Sequence, residues 1–177
     1  KNQLFLIDIM NVIVNQYNNK NIKLIIIGDG PLKSFILDRV NNYRLNDNII
    51  ILSNRNDINE LLSASDLFVF PSIYEGLGIV AIEAQANGLG TFCSDMVPNE
   101  ANITPLFQKV DLRIGTESWS SKILEYKKNY DGRKLKNIKN LITENGYDVK
   151  ECAQKLENEY DYVNGGIYDG KKWKGKV

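Results

Sequence analysis

The chain has 177 residues, 43 % of them apolar and 25 % charged, with 22 Lys and Arg against 22 Asp and Glu. That size and balance describe one soluble globular domain whose core hides roughly 70 % of the unfolded surface. A formal net charge of zero argues against nucleic acid as a partner, and the absence of any histidine removes Ser-His-Asp and Cys-His catalysis and every imidazole-bound zinc site. Two cysteines, Cys93 and Cys152, are too few for a disulfide framework and fit a reducing, cytoplasmic setting. No apolar run approaches the ~20 residues that span a bilayer, and no signal-peptide pattern opens the sequence. It starts on Lys1 rather than Met, which reads as a piece of something longer.

In chain order, Leu4 to Val14 carries apolar residues over a wide face and predicts a helix, ended by Asn18-Asn19. Lys23 to Ile27 is a continuous β-branched run, the pattern of a strand covered on both faces. Gly28-Asp29-Gly30-Pro31 reads as a turn, with Pro31 at the first position of a helix from Leu32 to about Tyr43. Ile49 to Leu52 predicts a second strand, Ile58 to Ala64 a short helix, and Leu67 to Phe70 a third strand closed by Pro71-Ser72. A helix from about Gly78 to Asn87, a strand at Thr91 to Cys93 and another near Val110 to Ile114 follow. Helices are then expected at about Ser118 to Lys128, Lys134 to Glu144 and Val149 to Tyr162. Strand and helix alternate, so the fold class is α/β: a Rossmann-like parallel sheet with helices on both faces, followed by C-terminal helices. The expected division is residues 1–163 as that domain and residues 164–177 as a flexible basic tail. In such sheets ligands sit beyond the carboxyl ends of the strands, here the loops after Ile27, Leu52, Phe70 and Cys93.

The loop after the third strand is the most informative stretch. Ile79, Val80, Ala81, Ile82, Ala84 and Ala86 surround Glu83, and a helix apolar all round is buried, so Glu83 is expected as a buried carboxylate that needs a donor. A structural cap or salt bridge would satisfy it; so would a ligand. Gly76 and Gly78 bracket the helix start, where amides lack partners and the helix dipole favours an anion. Such a pocket suits a phosphate or diphosphate. Glu75 and Glu83 stand eight residues apart, roughly 12 Å along a helical path. That reach fits a nucleotide sugar, with carboxylates at the two sets of hydroxyls and amides at the diphosphate between them.

These residues resemble the E-x7-E motif of the retaining glycosyltransferases of the GT-B fold, specifically the large family 4. Ile25-Ile26-Ile27-Gly28-Asp29-Gly30-Pro31, Ser65 to Ser72 and Glu75-Gly76-Leu77-Gly78 match the same family. Ser94 to Glu100 with Asn102-Ile103-Thr104 is similar to members that build bacterial capsular polysaccharide or exopolysaccharide. The resemblance covers about Lys1 to Tyr130, the donor-binding C-terminal half of such an enzyme. It implies a nucleotide sugar, UDP- or GDP-linked, as donor, a saccharide or lipid-linked acceptor, and an N-terminal acceptor domain of the same enzyme as partner. It implies Glu75 as the catalytic residue, orienting the donor sugar, and Glu83 on the ribose. Gly76, Leu77, Gly78 and Ile79 would hold the diphosphate through their amides, and the loop Asn54-Arg55-Asn56-Asp57 would lie at the nucleobase, with Arg55 among the donor-binding residues. Lys1 falls where the family's diphosphate-neutralising lysine is expected; the matching arginine and the first strand would lie upstream. Transfer would be metal-independent and need no cofactor beyond the donor itself. A non-catalytic nucleotide-binding remnant and a GT-B-fold UDP-sugar epimerase are the alternatives.

Other patterns are weaker. Gly28-Asp29-Gly30 lacks the third glycine of a dinucleotide fingerprint, Lys33 standing there. Gly165 to Lys171 has phosphate-loop spacing without a strand before it or a hydroxyl after it. Lys171, Lys172, Lys174 and Lys176 around Trp173 admit peripheral contact with an anionic inner membrane face, although a solvated tail is simpler. Cys93 reads as a small core residue. Leu135, Ile138 and Ile142, with Ile123, Leu124 and Leu156, read as core packing.

Overall fold

A computed structural model describes residues 1–130, 135, 137–164, 167–168 and 173–174. They fall into two compact units, Lys1–Lys136 and Asn137–Val177. The first holds nearly all the expected alternation. Helix α1 (Gln3–Asn11) runs into a wider π turn at Val12–Gln16 and is followed by β1 (Leu24–Ile27), α2 (Lys33–Asn42), β2 (Ile49–Leu52), α3 (Ile58–Ser63) and β3 (Leu67–Phe70). Then come α4 (Ile79–Ala86), β4 (Gly90–Ser94), β5 (Phe107–Val110) and α5 (Gly115–Asn129).

All strand pairs in this unit are parallel, as expected, but they form two sheets. Strand β1 pairs with β2, Leu24 opposite Ile49; separately, β3 pairs with β4 and β4 with β5. Helix α1 joins them. Its Ile7 and Met10, with Val14 just beyond, pack with Ile36 and Val40 of α2 against Ile26 and Ile49. Its Ile9, with Ile13, packs with Phe92 and Val110 of the other sheet and with Trp119 of α5. The opposite face of β3 is covered by α3 and α4, where Leu62, Ala84 and Leu89 meet Phe68. The β1–β2 pair is not covered on both faces, contrary to expectation: Ile25, Ile27 and Ile50 are 38 %, 36 % and 43 % exposed. The reason is that α3 lies over β3 and leaves that side of β1–β2 bare.

Two boundaries also differ. Pro31 sits in a turn closed by Lys33 N–H on Gly30 C=O at 3.2 Å, so α2 opens at Lys33 instead of at Pro31. The fifth strand is Phe107–Val110, ending where Val110 to Ile114 was expected to begin. The carboxylate of Asp111 accepts the Arg113 amide at 2.8 Å and bends the chain into a 3-10 turn at Leu112–Ile114.

Gly90 opens β4 under the ring of Tyr126, and a Cβ there would come within 2.5 Å of Tyr126 Cζ. That ring is wedged between Phe92 and Tyr130, each 5.6 Å away, so it has little freedom to withdraw. Gly90→Ala should therefore cost about 1–3 kcal/mol by overpacking. Thermal melting checks it; an unchanged Tm would show that the ring yields.

The second unit holds α6 (Ile138–Glu144) and α7 (Val149–Asn164), with Asp148 accepting the Lys150 and Glu151 amides as the α7 cap. Leu156 is exposed instead of serving as core, because no described element of this unit covers that face of α7. Of the expected basic tail, Ile167–Tyr168 and Trp173–Lys174 pair antiparallel as β6 and β7. Lys171, Lys172 and Lys176 lie outside the described residues. No helix among the described residues is long and apolar enough to cross a membrane.

Candidate functional site

Strand β3 delivers the site. Its last residue, Phe70, is buried, and Pro71-Ser72 turn the chain out toward α4. Gly78 caps that helix at φ +80°, a backbone state glycine adopts without strain, and a Cβ there would press on Val97 Cγ1 at 3.2 Å. From Gly76 to Val80 no backbone amide meets a hydrogen-bond acceptor among the described residues, and no side chain caps the helix. The first intrahelical bond is that of the Ala81 amide to Gly78 C=O, at 2.8 Å. Five consecutive amide donors thus lack a protein acceptor at the positive end of a helix dipole.

Glu75 lies just before these amides, its side chain only 8 % exposed. Its Oε1 accepts from Lys1 Nζ at 2.5 Å and from Ser72 Oγ at 2.8 Å. Lys1 Nζ also stands 5.1 Å over the Phe70 ring, although its side chain is 54 % exposed. Burial alone pushes the Glu75 carboxyl up, but the Lys1 and Ser72 bonds outweigh it and hold the group below the usual glutamate range. It is a carboxylate at neutral pH. The stability those bonds add is present above the ordinary glutamate value and is lost as pH falls through the lowered one.

Glu83 differs from its expectation as a buried acid. It is exposed, and among the described residues no hydrogen bond or ion pair reaches its carboxylate. The helix buries Ala81, Ile82, Ala84 and Gln85, whereas Ile79, Val80, Glu83 and Ala86 point outward at helical spacing. Apolar composition therefore misled on this side: Ile79 itself is 62 % exposed. Glu83 follows Ile79 by one turn on the same outward face.

Of the residues singled out from sequence, Lys1, Glu75, Gly76, Leu77, Gly78 and Ile79 come together, with Glu83 on the adjoining turn. Arg55 stands in the loop after β2, and its hydrogen bonds go to Asp57, with Nε on Oδ1 at 2.7 Å. Lys33, given no role from sequence, donates to Ser53 Oγ at 2.9 Å and pairs with Asp29 at 3.5 Å. Two further residues were given no role. Buried Ser72 and Gln85 find partners that only the fold supplies. Gln85 Oε1 accepts the Ile103 and Thr104 amides at 3.2 and 3.0 Å and the Thr104 hydroxyl at 3.1 Å; its Nε2 donates to Ala101 C=O at 2.7 Å. A polar residue on the inward side of α4 was the available signal.

Cys93 is buried in β4, and its thiol is pushed up to about 12, mainly by burial, so it stays protonated and serves as core, as expected. A cavity of about 410 Å³ opens at the ends of β3–β5, lined by Ile73, Asp95, Met96, Asp111, Leu112 and Arg113. Asp95 and Met96 belong to the stretch Ser94 to Glu100, but none of the candidate donor-site residues lines it. Among the described residues no group of three or more His, Cys, Asp or Glu is placed to hold a metal ion.

Known proteins are similar to this chain. The Escherichia coli UDP-Gal:alpha-D-GlcNAc-diphosphoundecaprenol alpha-1,3-galactosyltransferase is 29 % identical over 169 residues, 90 % of this chain and 42 % of its own. The Bacillus subtilis protein EpsF is 32 % identical over 141 residues, covering 78 % of this chain and 36 % of its own. The chain thus spans well under half the length of these relatives. Among solved structures, Anabaena HepE in complex with UDP superposes with a TM-score of 0.71 at 17 % identity, covering 92 % of this chain and 45 % of HepE, which shows the fold. The family described as glycosyl transferases group 1 matches residues 1–129, nearly three quarters of the sequence. The chain belongs to the group 1 glycosyl transferases, with the α/β fold of GT-B enzymes and relatives in bacterial capsular and exopolysaccharide synthesis.

Proposed function

We propose that this chain is the donor-binding part of a retaining, metal-independent glycosyltransferase. It holds a UDP- or GDP-linked sugar for transfer to a polysaccharide or lipid-linked acceptor, with an acceptor-binding domain of the same enzyme as partner. The enzyme works in the cytoplasm, peripherally at the inner membrane face. One observation carries the reading: five amides without acceptors, from Gly76 to Val80, lie between a fixed carboxylate at Glu75 and an unpaired one at Glu83. A diphosphate accepts from such amides, and sugar hydroxyls donate to such carboxylates. In support, the solved neighbours include one with UDP and one with UDP and GlcNAc, and the Escherichia coli relative is named for a UDP-Gal donor and a diphosphoundecaprenol-linked acceptor.

In this mechanism the helix amides and Lys1 offset the charge of the departing diphosphate, which metal ions do in other transferases. Glu75 orients the donor sugar through its hydroxyls and is not the nucleophile. The acceptor hydroxyl attacks on the face the diphosphate leaves, and a phosphate oxygen takes its proton. Glu83 holds the ribose. Glu83→Ala should weaken UDP binding by about tenfold or more, the loss of a hydrogen bond to a charged group. Calorimetry with UDP and GDP is the check, and unchanged affinity for both would remove Glu83 from the nucleotide site.

A further inference from the structure

We infer that Ser72 is a positioning residue for the donor sugar: held from beneath by Ser94, it ties one oxygen of Glu75 and leaves the other presented to the ligand. This rests on the reading of Glu75 as the sugar-orienting carboxylate. Ser72 and Ser94 are both fully buried at the ends of neighbouring strands β3 and β4. Ser94 Oγ donates to Ser72 C=O at 2.5 Å, which pins the turn out of β3 to the end of β4. Ser72 Oγ then donates to Glu75 Oε1 at 2.8 Å. Tyr74 C=O also lies 3.1 Å from that hydroxyl, but its single proton goes to the nearer, charged acceptor.

Lys1 bonds the same oxygen, Oε1, so both donors converge on one side of the carboxylate. Oε2 receives neither. The two donors differ in kind. Lys1 is a long, half-exposed side chain whose position a ligand can change. Ser72 has one rotor on a buried, pinned backbone, so it fixes the carboxylate plane before any ligand arrives. Preorganisation of this sort keeps the cost of ordering a glutamate side chain out of the binding step.

The test uses the intact chain carrying Ser72→Ala, Ser94→Ala or Ser72→Thr. NMR follows the Glu75 carboxyl through its titration, and calorimetry measures UDP against UDP-galactose, UDP-glucose, UDP-GlcNAc and GDP-mannose. Ser72→Ala should raise the Glu75 midpoint. It should also weaken the preferred nucleotide sugar by about tenfold while UDP or GDP alone changes less than about twofold. Ser94→Ala should act in the same direction by less, because it loosens the turn but keeps the donor. Ser72→Thr, which keeps the hydroxyl, should restore the midpoint. An unmoved midpoint in Ser72→Ala overturns the inference, as does equal weakening of nucleotide and nucleotide sugar. If the unaltered chain binds none of the probes, the donor-site reading fails separately, and the titration alone decides whether Ser72 sets the carboxylate.

Discussion

On the proposed function, Glu75→Gln should lower turnover by about a hundredfold or more while UDP affinity stays within about threefold. The geometry says why so small a change matters. Lys1 and Ser72 both donate to Oε1, so glutamine will turn its carbonyl oxygen toward them. That places its NH2 group where Oε2 stood. An acceptor becomes a donor on the side that meets the sugar, and the negative charge disappears from the site. The contacts proposed for the diphosphate and the ribose, at the Gly76 to Val80 amides and at Glu83, are untouched. The split appears as a fall in kcat with little change in the Kd for UDP. Equal losses in both would assign Glu75 to the nucleotide instead.

Gln85→Leu should destabilise the fold more than any other single change considered, by about 3–5 kcal/mol. Leucine is close in volume, so cavity formation is not the cause. The substitution strands the Ile103 and Thr104 amides, the Ala101 carbonyl and the proton of the Thr104 hydroxyl, whose oxygen keeps the Leu106 amide. Each unsatisfied group costs about 1–3 kcal/mol before any relaxation admits water. Only relaxation of the loop over residues 99–104 brings the total down. Tm should fall by roughly 6–20 °C for a chain of this size. A loss under about 1 kcal/mol in chemical denaturation would mean that the loop reorganises freely and that Gln85 is no anchor.

Much of the fold was legible because its strongest signals are local. Ile49 to Leu52 and Leu67 to Phe70 are unbroken apolar runs bounded by polar turns, and both are strands at those residues. Phe107 to Val110 was displaced because Gln108 and Lys109 are exposed between two buried ends, so neither alternation nor a continuous run marks it. The carboxylate pair and glycines were legible as a motif, but the environment of Glu83 was not. Exposed Ile79 and Val80 look like core in a composition count, and only helical phase against the buried Gln85 face sorts inside from outside. Ser72 and Gln85 were illegible for another reason. The loop that Gln85 anchors begins 16 residues away at Ala101, and the Ser94 that pins the Ser72 backbone lies 22 residues away, so both come close only on folding.

One helix has a consequence for cooperativity. The two sheets share no ladder, and a two-stranded sheet such as β1–β2 has little capacity to persist alone. Since α1 supplies side chains to both clusters, its departure opens both, and the amides of β1 and β4 should exchange with solvent through one common fluctuation. Lys1 stands two positions ahead of that helix and rests on Glu75. On the proposed function, a ligand that takes over the carboxylate acts on the residue that leads into α1, and its binding should register in the isotope-exchange rates of both sheets.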